Sequence, residues 1–453
     1  MIKLADIKRV YLIGIGGIGM SGLARYFNHK GLLVIGYDKT PTTLTKSLSD
    51  EGIGIIYDDN VDLIPLNFQA KEENNLVIYT PAIPNDSQIL NYFKDQNSRI
   101  YKRSEVLGII SKGMFCIAVA GTHGKTTTSS LIAHLLRVGG IDCSAFLGGI
   151  STNYQNNFLF GDTNVMVVEA DEYDRSFLTL HPDIAVITSM DADHLDIYGE
   201  EKELQESFIL FAQQVKTEGR LIRRSNLPLI VGKTYGVNDP EAEVQGFNIG
   251  IIDQKFSFDF KNETSQMDSL FLGLPGLHNI ENAIAAIEVA LAMGISNEKI
   301  RLGLSSFLGV KRRFEYIIKE DETIFIDDYA HHPEELKACF KAVRSLYPNL
   351  KLTVIFQPHL FTRTRDFAAD FIKVLSTADE LLLLDIYPAR ELPIEGITSY
   401  MLANDMDVDK VTVCGKQEVL EIIRIEKPKL LLTVGAGDID TLIKPLKNIL
   451  QNA

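Results

Sequence analysis

The sequence predicts an α/β protein built as three consecutive units. Three observations carry that reading. Apolar runs of strand length are repeatedly followed by a glycine-bearing loop and a helical pattern. Two of those loops, Gly14 to Gly19 and Gly121 to Gly124, have glycines placed as in phosphate cradles. Changes of pattern near residues 108 and 311 divide the 453 residues into segments 1–107, 108–310 and 311–453, each of ordinary domain size.

In the first segment the strand signals are Val10 to Ile13, Leu33 to Tyr37 and Leu76 to Tyr79, with a Pro- and Asn-rich turn in "TPAIPND". "RVYLIGIGGIGMSGLARYF" joins the first strand to a helix. Gly14 permits a tight turn, Gly16 lets backbone approach a diphosphate, and Gly19 lets helix and strand pack closely. The helix N-terminus adds unpaired N–H groups for anionic oxygens. Asp38 ends "LLVIGYD", where a ribose reader would stand in a dinucleotide site. Nothing in the loop reads a nicotinamide ring, so the pattern specifies a diphosphate rather than hydride transfer.

The second segment opens with "MFCIAVAGTHGKTTTSSLIAHLL", again strand, loop and helix. In "GTHGKTTT" backbone N–H groups can cradle phosphate, Lys125 can reach the outer phosphates, and the Thr126 hydroxyl can complete Mg²⁺ coordination. The glycine arrangement is shorter than G-x-x-x-x-G-K-[ST], because Val119 stands where the first Gly would be. His123 lies inside the loop, as ligand contact or as organiser. Strands are expected at Val165 to Val168 and at Ile184 to Thr188. After the former comes Glu169, a carboxylate suited to Mg²⁺, in a loop that also holds Asp171, Glu172 and Asp174; a solvated acidic turn is the alternative. After the latter comes His194 between Asp193 and Asp196, a second cation ligand or a polar structural residue. "LPGLHNIENAIAAIEVALAMG" reads as a core-facing helix whose Asn279 and Asn282 could face a ligand or cap the helix.

The third segment begins with the basic and aromatic "VKRRFEYI". Strand-like pieces follow in "TIFIDDYA", "LTVIF", "LLLLDIY", "VTVC" and "LLLTVGAGD", alternating with helices. Asp328, His331 and His332 lie at the first strand end. Arg363 and Arg365 follow the second, suited to a carboxylate or phosphate or to a surface salt-bridge network.

Composition narrows the class of protein. A net charge of −15 disfavours a broad nucleic-acid grip, and 45% hydrophobic residues suit a globular chain. Four scattered cysteines make no disulfide framework, and no apolar run is long enough for a membrane span. A cytoplasmic enzyme without nucleic-acid or membrane partners is expected.

The ordered landmarks "GIGGIGMSGLA", "GTHGKTTTSSL", "VVEADEYDRSFL", "ITSMDADHLDIYG", "PGLHNIENAIAA", "RRFE", "DDYAHHPEE" and "FQPHLFTRTRDF" span nearly the whole chain, which resembles the Mur ligases. The resemblance implies a Rossmann-like N-terminal domain, a central P-loop ATPase-like domain and a Rossmann-like C-terminal domain. It implies ATP as co-substrate, two Mg²⁺ ions, and ligation of L-alanine to UDP-N-acetylmuramate through an acyl phosphate. By the same resemblance, Gly14, Gly16, Gly17, Ile18 and Gly19 approach the UDP-sugar diphosphate, with Asp38 a structural or uridine-side contact and no NAD required. Gly121, Thr122, His123, Gly124, Lys125, Thr126 and Thr127 surround ATP phosphates, and Thr126, Glu169 and His194 hold metal. Asn279 and Asn282 lie near adenine. Asp328, Tyr329 and His331 face the nucleotide and incoming amino acid, Arg313 binds ATP and helps to join the domains, and Arg363 and Arg365 lie on a substrate anion. Leu360 and Phe361 stand where relatives often have Arg and Tyr, so no role passes to them. No lysine matches the one that several relatives carbamylate. A ligase attaching a recycled peptide, or a silent nucleotide-sugar binder, are the alternatives.

Overall fold

The computed structural model describes residues 3–69, 72–96, 98–191, 201–389, 391–406 and 411–451. They form two compact units: Met1–Ile249 with Phe258–Phe271 and Ile280–Leu308, and Gly250–Ser257 with Leu272–Asn279 and Gly309–Ala453.

The first unit starts with a parallel sheet of β1 (Arg9–Ile13), β2 (Leu33–Tyr37), β3 (Gly54–Ile56), β4 (Asn75–Tyr79) and β5 (Ile100–Lys102), ordered β3-β2-β1-β4-β5. Val10 through Ile13 are completely buried, as expected of a parallel strand covered on both faces. The chain winds outward from β1 in both directions, so a crevice opens beyond the carboxyl ends of β1 and β4. The glycine loop sits there and leads into the helix Ile18–His29.

A second sheet contains β6 (Phe115–Ala120), β7 (Ser144–Ser151), β8 (Asn156–Leu159), β9 (Val165–Glu169), β10 (Ile184–Ile187), β11 (Arg220–Arg224), β12 (Lys233–Val237), β13 (Val244–Ile252), β14 (Lys255–Lys261) and β15 (Gln266–Leu272). Its order is β15-β14-β13-β12-β11-β10-β6-β9-β7-β8. Central β6 lies parallel to both β9 and β10, with Val119 opposite Glu169 and Ala120 opposite Ile187. Three functional loops therefore leave adjacent strands at one sheet edge.

The two sheets of this unit share a core. Phe27 and Met20 of the Ile18–His29 helix belong to the same apolar cluster as Phe146 and Phe158 of the β7–β8 hairpin. A buried polar network reinforces it: Asn157 donates to the Ile18 carbonyl at 2.6 Å and to Ser21 Oγ at 3.0 Å, while Arg25 bonds Asn157 and Glu51. The expected boundary between residues 107 and 108 lies inside the helix Arg103–Lys112. Gly108 does not break that helix; a Cβ there would come within 2.6 Å of the Thr179 carbonyl oxygen, so its bareness allows close packing.

His134, on the helix Lys125–Val138, fixes the far side of this unit. Its Nδ1 lies 3.0 Å from the Tyr154 hydroxyl and its Nε2 3.0 Å from Ser306 Oγ. Burial pushes its pKa down to about 4. Because the folded value lies below the unfolded one of about 6.5, its contribution to stability is complete above that value and is lost as pH falls toward about 4. We expect the melting temperature of His134→Gln to fall less than wild type between pH 7 and pH 4.5, measured by calorimetry; an unchanged slope would show that His134 plays no part in acid sensitivity.

The second unit carries the sheet β16 (Glu315–Lys319), β17 (Ile324–Asp328), β18 (Leu352–Phe356), β19 (Glu380–Leu383), β20 (Val411–Val413) and β21 (Leu430–Val434), ordered β16-β17-β21-β18-β19-β20. Only β16 runs antiparallel to its neighbour. The four cysteines are free and buried. Among the described residues no helix is long and apolar enough to cross a membrane.

Candidate functional site

At the carboxyl end of β6 the loop turns through Gly121, φ +140°, and Gly124, φ +84°, conformations that side chains rarely adopt. A Cβ on Gly121 would strike Thr188, and one on Gly124 would lie 2.6 Å from Asn282 Oδ1. Thr188 and Ser189, just beyond β10, brace the loop: Ser189 Oγ accepts the His123 N–H at 2.7 Å and shares a bond with Thr122 Oγ1 at 2.9 Å, and Thr188 Oγ1 donates to the His123 carbonyl. Thr126 and Thr127 follow Lys125 into the helix.

Lys125 donates from Nζ to the Gly121 carbonyl at 2.6 Å, and reaches both carboxylate oxygens of Glu172 at 2.8 and 2.7 Å. Burial works against the ammonium charge, but Glu172, Glu169 and Asp171 outweigh it and hold the pKa above the usual lysine range. The acidic loop after β9 is thus charge-compensated: Asp171 pairs with Arg103 at 3.1 Å, Asp174 with Lys102 at 3.1 Å, and Glu172 with Lys125. Glu169 is oriented differently, with Oε2 accepting the Gly148 N–H at 3.0 Å.

Glu169, the last residue of β9, and the Thr126 hydroxyl, in the first turn of the helix after β6, are hard oxygen donors at the ends of neighbouring strands, a donor set that suits Mg²⁺ completed by phosphate oxygens and water. Among the described residues no three His, Cys, Asp or Glu side chains cluster as a metal site. His194 lies outside the described residues.

In the glycine loop, Gly14 has φ +87° and Thr80 of the β4 loop abuts it. Gly16 N–H donates to Asp38 Oδ2 at 2.8 Å, while Thr40 N–H donates to Oδ1 at 3.1 Å, so Asp38 organises the loop itself. Gly17 and Ile18 are exposed at a helix N-terminus that no side chain caps. Gly19 accommodates a side chain rather than a strand: the Arg103 guanidinium lies where its Cβ would be. Sequence reasoning missed Arg103, Gly148, Thr188 and Ser189, because each acts across a large sequence separation.

The second unit has its own arrangement. Asp328 accepts N–H bonds from Phe314 and Ala330, each at 2.7 Å, clamping a loop in which Arg312 and Phe314 have positive φ. Burial pushes the Asp328 pKa up to about 6 against the pull of Arg313. The guanidinium groups of Arg312 and Arg313 lie 5.1 Å from the Tyr329 ring centre. His331 is held by the Tyr329 carbonyl at 3.0 Å and Glu335 at 3.3 Å, and burial lowers its pKa. His332 caps the helix Pro333–Leu346. Arg363 lies 3.5 Å from His359, whose ring is 5.7 Å from His331, so these three residues converge. Arg365 points elsewhere, pairing with exposed Asp366 at 2.7 Å. Asn279 donates to the Pro275 carbonyl at 2.7 Å.

The fold and the loops at its sheet edges define an enzyme that handles nucleotide phosphates. The chain matches the Mur ligase family catalytic domain over residues 9–114, the Mur ligase middle domain over 119–290, and the Mur ligase glutamate ligase domain over 312–437. It is 49% identical over 450 residues to the UDP-N-acetylmuramate–L-alanine ligase of Flavobacterium johnsoniae, covering 99% of each chain. It is 50% identical to that of Flavobacterium psychrophilum, covering 99% of this chain and 100% of the other. The crystal structure of the Thermotoga maritima UDP-N-acetylmuramate-alanine ligase superposes with a TM-score of 0.83 at 26% identity, over 98% of this chain and 99% of the other. A murein peptide ligase from Psychrobacter arcticus shares the fold, with a TM-score of 0.71 at 22% identity over 98% and 99% of the two chains. The chain belongs to the Mur ligase family.

Proposed function

We propose that this protein is a cytoplasmic ligase that joins L-alanine to UDP-N-acetylmuramate with ATP, releasing ADP and phosphate, in peptidoglycan precursor synthesis. The observation that carries this reading is Lys125 on a glycine loop beside Glu169, in a chain alike over its full length to ligases named for those two substrates.

A carboxylate resists an amine because its charge repels the nucleophile and its oxygen is a poor leaving group. The lactyl carboxylate attacks the γ-phosphorus of ATP, and ADP leaves. The alanine amine then adds to the acyl-phosphate carbonyl, phosphate departs, and an amide remains. Lys125 and the loop N–H groups bind the phosphates and stabilise charge that moves toward ADP. Thr126, Glu169 and His194 would hold Mg²⁺, which would supply further neutralisation of the phosphates. The glycine loop of Gly14 to Gly19 receives the UDP-sugar diphosphate. His331 and Arg363 serve the amino-acid side and Arg313 the nucleotide, with the nearby His359 helping to place Arg363. Holding the amine against the activated carbonyl favours amide formation over hydrolysis.

A panel offering L-alanine, other amino acids and L-Ala-γ-D-Glu-meso-diaminopimelate with ATP and UDP-N-acetylmuramate tests the assignment. ADP release is expected with L-alanine above all others. Exclusive use of the tripeptide would make the protein a peptide-recycling ligase, and no ADP release with any acceptor would make it a silent binder.

A further inference from the structure

The Lys125–Glu172 pair has a consequence for nucleotide entry. An ammonium has three protons. In this structure Nζ donates to the Gly121 carbonyl at 2.6 Å, to Glu172 Oε1 at 2.8 Å and, at the longer distance of 3.4 Å, to the Thr122 carbonyl, while Glu172 Oε2 lies 2.7 Å away as an ion-pair contact. The lysine that should meet phosphate is therefore committed to its own loop and to a carboxylate. Glu172 is fully buried, and it sits in the loop whose Asp171 and Asp174 are tied to Arg103 and Lys102. That tethering fixes where its carboxylate stands.

We infer that Glu172 is an internal stand-in for a nucleotide phosphate: its carboxylate engages the Lys125 ammonium and competes with ATP for it. The inference rests on the nucleotide reading of the Gly121 to Thr127 loop. Two effects of the carboxylate act in one direction. It occupies the ammonium that a phosphate would otherwise engage, and it repels an arriving polyanion. Both weaken ATP binding, most when no divalent cation screens the phosphates. A carboxylate that merely positioned Lys125 for phosphate would act in the opposite sense, since its removal would weaken binding.

Glu172→Gln keeps the shape and removes the charge. Calorimetric titration of the full chain with ATP in EDTA is expected to show about tenfold tighter binding for Glu172→Gln than for wild type, with a smaller gain when Mg²⁺ is present. In a Lys125→Ala background the same change should give a smaller gain, because competition for the ammonium has gone. Glu172→Asp keeps the charge but shortens the reach, and should tighten binding by a lesser factor; it serves if Glu172→Gln does not fold. Equal or weaker ATP binding in the folded Glu172 variants, with wild type binding normally, would overturn the inference alone. Failure of wild type to bind ATP with Mg²⁺ would instead overturn the nucleotide reading on which it stands.

Discussion

Lys125→Ala is expected to lower kcat by about 10²–10³-fold or more, the loss typical when one charged or hydrogen-bonding stabiliser is removed from a developing oxyanion. UDP-N-acetylmuramate affinity should stay within about twofold, because the glycine loop at β1 uses none of the β6 loop residues. The measurement is a pair: ADP release in the complete reaction, and calorimetric titration with the UDP-sugar alone. Substitution also removes the cation facing Glu172, a carboxylate with no solvent exposure. Breaking a buried pair from one side costs about 3–5 kcal/mol, so the melting temperature should fall as well. Lys125→Ala/Glu172→Gln should recover much of that stability without recovering turnover. Parallel loss of sugar binding and turnover in the folded single variant would contradict the division of labour between the two loops.

Gly148→Ala is expected to raise the Mg²⁺ concentration needed for half-maximal activity by about 10–100-fold, the usual penalty for disturbing the group that orients a metal ligand. Gly148 lies on β7, two strands from β6, and its N–H donates to Glu169 at 3.0 Å. A methyl group there would fall on the Glu169 carboxylate and force it to rotate. The backbone of Gly148 is not in the left-handed region, so the change strains no torsion. Saturating Mg²⁺ should restore most of kcat. An unchanged Mg²⁺ dependence would remove Glu169 from the metal site.

The strands that carry these loops were legible because each is a short apolar run ending in glycine or a carboxylate, and a parallel sheet demands burial on both faces. Lys125 and Glu169 were legible for the same reason: local spacing ties each to a strand end. The acidic loop was not. In sequence Asp171, Glu172 and Asp174 look like one negative cluster, yet their cations come from Arg103, Lys125 and Lys102, up to 72 positions away. Asp38 illustrates another limit: its place at a strand end leaves a structural and a uridine-side role equally open, and only the fold shows its carboxylate accepting the Gly16 and Thr40 N–H groups. Gly19 shows the same limit. Its spacing predicts close packing of helix on strand, whereas the space is filled by Arg103, a residue that no local pattern connects to it.

The shared core beneath the first two sheets bears on modularity. Family boundaries cut between residues 114 and 119, as though the preceding segment were a transferable cassette. Excising it would strip Phe27 and Met20 from Phe146 and Phe158, and would deprive Arg25 of Asn157. Swapping this cassette between relatives therefore requires that the β7–β8 hairpin travel with it: the module evolution can exchange is larger than the segment the family boundary delimits.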